Sequence, residues 1–277
     1  MSAAMAAYEV NAFNTATASE NKIHDDAMAR RFGFRGGLVP GVEVFAYMAH
    51  MPVARWRRRW LESGQADCRF LKPVYDGAVA RVTATEDGDG LELSVMSGQD
   101  RCATGRAFIP ADGRPAPAID ALPAATPPAE RPAATEESLK PGRALGIAPV
   151  TIDRAMLAGY LDDIRETEPI YRAEGLVHPG QILRLANLAL VQTVVLGPWI
   201  HLGSTLRNYA AVHVGQQLTL RSKITSNTVS KGHAIVEFDA IVVADGARSV
   251  AEITHVAIWR PRQVSEIAHT HGLVESP

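Results

Sequence analysis

Two short segments carry side chains able to move protons. The first runs Ser19-Glu20-Asn21-Lys22-Ile23-His24-Asp25-Asp26, and the second Glu166-Thr167-Glu168-Pro169-Ile170-Tyr171. An imidazole such as His24, with an ordinary pKa of about 6.5, suits general acid/base work at neutral pH. Asn21 can orient that ring or a water beside it. Asp25 and Asp26 precede a short apolar run, and acids there favour capping a helix N-terminus. His178, beside a Pro-Gly pair, reads as a second capping residue or as part of a second polar site. Asp162, Asp163 and Glu166 read as a solvated helix face. Metal chemistry finds no support, because His and Cys never cluster at zinc spacing. A Gly-rich phosphate loop, a dinucleotide fingerprint and a Gly-x-Ser-x-Gly elbow are also missing, which removes nucleotide hydrolysis and serine-hydrolase chemistry.

Arg55-Trp56-Arg57-Arg58-Arg59-Trp60 invites a phosphate reading. At helical spacing the two tryptophans share one face, so they read as the packed side of a helix end under solvated arginines. Composition points the same way. The chain has 277 residues, 47% hydrophobic and 21% charged, with a formal charge of −2. Such a balance excludes a disordered chain and a domain-wide nucleic-acid footprint, so no nucleic-acid partner is expected. Cys68 and Cys102 are too few for a disulfide framework and fit a reducing cytoplasm. The first residues carry neither a basic nor an apolar signal region. The longest apolar run, Leu185 to Ile200, is interrupted by Asn187, Gln192 and Gly197-Pro198, and is too short and polar to span a bilayer. The expectation is a soluble, cytoplasmic protein with no membrane partner.

Those candidate groups need elements to hold them. A Pro- and Ala-rich segment from Pro110 to Pro132 resists helix and central strand alike, because proline fixes φ and lacks a donor. It divides the chain into residues 1–110, a linker 111–138, and residues 139–277. The flanking halves repeat one pattern. Gly37-Leu38-Val39-Pro40-Gly41 is echoed by Gly175-Leu176-Val177-His178-Pro179-Gly180. Each Pro-Gly opens a long apolar run with the spacing of a buried helix. Alternating segments follow in both halves: Val79 to Thr83, Leu91 to Met96 and Ala103 to Ile109, then Leu218 to Ser222, Ala234 to Val243 and Ser249 to Trp259. One helix wrapped by an antiparallel sheet is an α+β unit, and two tandem copies predict an intrachain pseudo-twofold.

With that frame, the first segment resembles the motif of the MaoC-like, (R)-specific enoyl-CoA hydratase family. That motif runs Asp-x-Asn-Pro-x-His, then a short helix, a Gly-Phe pair and a glycine opening the long helix. Asn21, His24, Gly33-Phe34 and Gly41 match. Ser19 stands at the Asp position and Lys22 at the Pro position, while Glu20 is one residue out of register and so faces the other way in an extended segment. In the second half Glu166 stands at the acid position, Pro169 is kept, and Tyr171 replaces the histidine.

The resemblance implies an α+β tandem, or double, hotdog. Its implied activity is interconversion of 2-enoyl and 3-hydroxyacyl thioesters, a lyase of lipid metabolism. A CoA ester would be substrate, with no cofactor and no metal, and a homodimer of double hotdogs is the candidate assembly. His24 would be the general acid/base and Asn21 its orienting partner. The N–H groups of Gly41 and Val42, at a helix N-terminus, would receive the charge that grows on the thioester oxygen. Glu20, Glu166 and Tyr171 form the second choice of catalytic groups. Two alternatives remain: a hotdog thioesterase, drawing its water-activating group from Glu20, Glu166 or Asp25, and a non-catalytic acyl-CoA-binding or assembly subunit.

Overall fold

A computed structural model describes residues 5–263. Ten strands form a single sheet: β1 Tyr8–Asn11, β2 Gln65–Phe70, β3 Val79–Asp87, β4 Gly90–Ser97, β5 Asp100–Phe108, β6 Val150–Thr151, β7 Ile200–Asn208, β8 Gln217–Ser230, β9 His233–Ala244 and β10 Arg248–Arg260. Six α-helices accompany them: α1 Asp26–Arg31, α2 Gly41–Trp56, α3 Arg58–Ser63, α4 Arg154–Asp163, α5 Ile170–Glu174 and α6 Pro179–Thr193. A 3-10 turn, Lys22–His24, precedes α1. Among the described residues no helix is long and apolar enough to cross a membrane.

Strand order exposes the repeat. It runs β1-β3-β4-β5-β2-β7-β10-β9-β8-β6, so the second half reads as the first in reverse. The halves join through β2 and β7, which pair antiparallel from Gln65↔Arg207 to Arg69↔Gly203. Smaller features repeat too. Val39 N donates to Val74 O and Val177 N to Val212 O, at 2.9 and 2.8 Å. Leu38 bridges Tyr75 as Leu176 bridges His213. The pseudo-twofold therefore extends to the loops that enter each long helix.

Each long helix forms where the sequence starts it. Pro40 precedes α2, whose residues from Val42 to Ala49 are all buried. Glu43 within that stretch is paired with Arg184 of α6, and the otherwise apolar helix packs against α6 and five strands of its own half. His178 caps α6 with a reciprocal pair of bonds to Gly180 and Gln181, and Pro179 occupies the first turn, where a missing N–H costs nothing. Between Phe108 and Val150 the chain makes no helix or named strand. This stretch is extended yet fastened to the second half. Pro132 O accepts from Val195 N at 2.8 Å, Pro123 O accepts from Ser222 N at 3.3 Å, and Leu139 and Leu145 are fully buried.

Candidate active site

The 3-10 turn places His24 and Asn21 side by side. Asn21 is buried and belongs to both halves at once. Its Nδ2 donates to Trp199 O at 3.0 Å, and its Oδ1 accepts from Trp199 N at 3.2 Å. A side-chain amide carries a donor and an acceptor side by side and so pairs with a backbone N–H and C=O at once. The same Nδ2 lies 3.4 Å from His24 Nε2.

His24 Nδ1 lies 2.7 Å from Leu38 O. A carbonyl only accepts, so Nδ1 carries the hydrogen and Nε2 keeps its lone pair. Burial pushes the His24 pKa below its ordinary value, and the Leu38 bond opposes that shift only in part. The ring is therefore neutral at pH 7, with Nε2 ready to accept a proton.

His24 and Asn21 open onto a cavity of about 320 Å³. Its walls are mostly apolar and come from both halves: Ile23, Val44, Phe70 and Val74 on one side, Trp199 and Ile200 on the other. That volume and lining suit a short acyl chain. Gly41, the first residue of α2, lines the same space. Within α2 the first backbone donation is from Glu43 to Pro40 O at 2.9 Å. The N–H groups of Gly41 and Val42 thus lie ahead of it, at the positive end of the helix dipole. The Val42 side chain itself turns into the core. Gly41 must be glycine for a packing reason. A Cβ there would stand 2.8 Å from His201 Nδ1 and 2.9 Å from a Phe70 ring carbon.

Sequence reasoning also named Glu20, Glu166 and Tyr171, and none of them lines this cavity. Glu20 is exposed and bound to Arg131 of the connector, at 3.0 Å. Asp25 caps α1 by accepting from Met28 N at 3.0 Å. Ser19 Oγ accepts from the Asn21 backbone at 3.1 Å, so this hydroxyl braces the turn.

Glu166 and Tyr171 lie in the equivalent place of the second half, which is closed. Glu166 Oε1 is 2.8 Å from His50 Nδ1 and its Oε2 is 3.3 Å from His178 Nε2. Despite the burial that opposes ionisation, those two imidazoles hold its carboxyl far below the usual carboxylate range. Tyr171 is fully buried with its ring 4.6 Å from His178. At Gly180, the counterpart of Gly41, a Cβ would stand 2.1 Å from the Tyr160 hydroxyl. Tyr160 thus covers the start of α6, whereas Gly41 at the start of α2 lines the cavity with His201 and Phe70 packed beside it.

Sequence reasoning missed the residues that the second half contributes to the first half's cavity. Trp199 and His201 stand on or beside β7, outside any recognisable motif. Only the seam pairing of β2 with β7 brings them to His24.

No protein-family model matches the sequence, and no curated protein matches it. Solved structures do, across nearly the whole chain. A protein from Mycobacterium tuberculosis, described as a double hotdog, aligns with a TM-score of 0.64 at 18% identity over 93% of this chain and 96% of that one. A protein assigned as a MaoC domain dehydratase, from Chloroflexus aurantiacus, aligns with a TM-score of 0.62 at 13% identity over 94% and 95%. A protein assigned as a thioesterase, from Novosphingobium aromaticivorans, gives 0.51 at 12% identity over 81% and 89%. At such identities the likeness establishes the fold. The chain is a double hotdog. Its architecture is the one shared by MaoC-like dehydratases and by thioesterases.

Proposed function

We propose that this protein adds water to 2-enoyl thioesters, and reversibly dehydrates 3-hydroxyacyl thioesters, with a CoA ester as substrate. The observation that carries this reading is His24, its Nδ1 held by Leu38 O, on the wall of an acyl-sized cavity that also reaches Gly41, the first residue of α2. His24 Nε2 takes a proton from water as the water oxygen bonds to C3. The C2–C3 π electrons move toward the thioester, and negative charge collects on its oxygen. The Gly41 and Val42 N–H groups stabilise that charge. The enolate then collapses, and the imidazolium returns the proton to C2. Water has been added, and His24 is restored.

Thioester hydrolysis on the same fold would draw its water-activating group from Glu20, Glu166 or Asp25, and none of these lines the cavity. Among the described residues that line the cavity there is no Asp or Glu, which favours hydration. Crotonyl-CoA separates the two reactions. Loss of enoyl absorbance without release of free thiol supports hydration. Thiol release at the same rate as absorbance loss refutes it. Binding of acyl-CoA without either change would mark a binding subunit.

A further inference from the structure

Proton transfer by His24 demands that its ring keep one position while substrate comes and goes. The ring is tied to Leu38 O through Nδ1 and lies beside Asn21 through Nε2. Its backbone N–H donates to Asn21 O at 3.3 Å. A further bond comes from outside both the turn and the loop that supplies Leu38. Asn14 Nδ2 donates to the His24 backbone carbonyl at 2.9 Å.

Asn14 is itself held firmly. It lies between β1 and the 3-10 turn and is 4% exposed. Its Oδ1 accepts from Ala16 N at 3.0 Å. A carbonyl only accepts and a backbone N–H only donates, so the two bonds together fix the orientation of the amide. Asp76 Oδ1 accepts from Asn14 N at 2.7 Å. The next residue, Thr15, ties the same loop to both halves. Its hydroxyl donates to Glu43 of α2 at 3.1 Å and accepts from Arg184 of α6 at 2.9 Å. The space around the bond is taken as well. A Cβ at Gly37 would stand 2.4 Å from His24 O and 3.2 Å from Asn14 Nδ2, so glycine lets the loop that supplies Leu38 pass there. The second half handles the same carbonyl differently. Tyr171 stands in the place of His24, and its carbonyl accepts from Leu176 N at 3.0 Å, a backbone group of its own loop. The half that keeps histidine is the one that brings a remote side-chain amide to this point.

We infer that Asn14 is a positioning residue for the hydration step: its amide fixes the backbone of His24 so that the imidazole, tied at its other end to Leu38 O, keeps its place on the cavity wall. The inference rests on the hydratase reading of His24 and extends the site to a loop outside the motif. Asn14 does not line the cavity, so it acts through His24 and not on substrate. Loss of the amide leaves the His24 carbonyl without its partner and frees the turn to shift. A displacement of about 1 Å in a reacting group can cost about 10²-fold in rate.

The test uses the full chain, with crotonyl-CoA for turnover and butyryl-CoA for affinity. Asn14→Leu is close to Asn in size and has no donor. Its kcat should fall about tenfold to 10²-fold. Its butyryl-CoA affinity should stay within about twofold of wild type, which also verifies folding. Added to His24→Ala, the same substitution should cost less than about twofold more in kcat, because a residue that acts only through His24 has nothing left to position. If Asn14→Leu does not fold, Asn14→Ala replaces it with the same expectations. Wild-type kcat in the variant overturns the role of Asn14 alone. So does a fall in kcat matched by an equal fall in affinity, or one that recurs in full on His24→Ala, since either marks a general effect on the cavity. Wild-type protein that neither binds butyryl-CoA nor hydrates crotonyl-CoA overturns the reading beneath it as well.

Discussion

Acidification should unfold this protein through its buried imidazoles, and His201 is one of them. Its folded pKa is about 3 against an ordinary 6.5. The cause is burial, opposed only by the Gly203 carbonyl. Because the folded value is the lower one, the unfolded chain binds the proton more readily, and stability must rise with pH across this window. The contribution is complete above pH 6.5 and is lost as pH falls toward about 3. One proton corresponds to about 1.4 kcal/mol per pH unit, so at about pH 4.5 the loss from this residue is about 2.7 kcal/mol. His24 and His255 are shifted in the same direction by burial. Urea denaturation from pH 7.5 to 4.5 reads the effect. The wild-type slope of stability against pH should exceed that of His201→Asn by about 1.4 kcal/mol per unit below pH 6. Equal slopes would mean that His201 is charged or solvated in the folded protein, and would refute burial as the cause of its shift.

Other perturbations separate the open half from the closed one. Gly41→Ala drives a methyl into His201 and Phe70; turnover should fall more than about tenfold and stability by about 1–3 kcal/mol, the usual cost of overpacking, as read by steady-state kinetics and thermal melting. Asn21→Ala removes two bonds to Trp199 and a contact to His24; stability should drop by about 2 kcal/mol, and turnover should drop less than in His24→Ala. Glu166→Gln disturbs the pair with His50 and His178, so denaturant stability should fall by about 1–3 kcal/mol with turnover nearly unchanged. Abolished turnover in that variant would place the chemistry in the second half.

The repeat was legible because it is written in local signals. The two Pro-Gly pairs mark α2 and α6 within a residue of their true starts, and the Gly88-Asp89-Gly90 and Asp245-Gly246 turns bracket hairpins that form as expected. His24 and Asn21 are neighbours in sequence as well as in space. What sequence reading could not reach is the seam. β2, Gln65–Phe70, alternates buried and half-buried residues without a strong apolar stripe, and β7 follows directly on an apolar run that hides its start. Their pairing is long-range and leaves no pattern in either segment. His201 and Trp199 depend on that pairing, so they stayed invisible. Glu166 shows the opposite effect. Its spacing copies the first motif, and only Tyr160 and Tyr171, packed over the helix start and against His178, reveal that its half is closed.

The most direct measurement is crotonyl-CoA hydration by wild-type protein and by His24→Ala, with butyryl-CoA affinity measured on both. Wild-type protein should consume the enoyl absorbance without releasing thiol. His24→Ala should lose about 10²–10⁴-fold in kcat, with butyryl-CoA affinity almost unchanged, because His24 acts on protons and binding comes from the cavity walls. A His24→Ala protein that hydrates crotonyl-CoA at the wild-type rate would contradict the assignment of this cavity as the site of hydration.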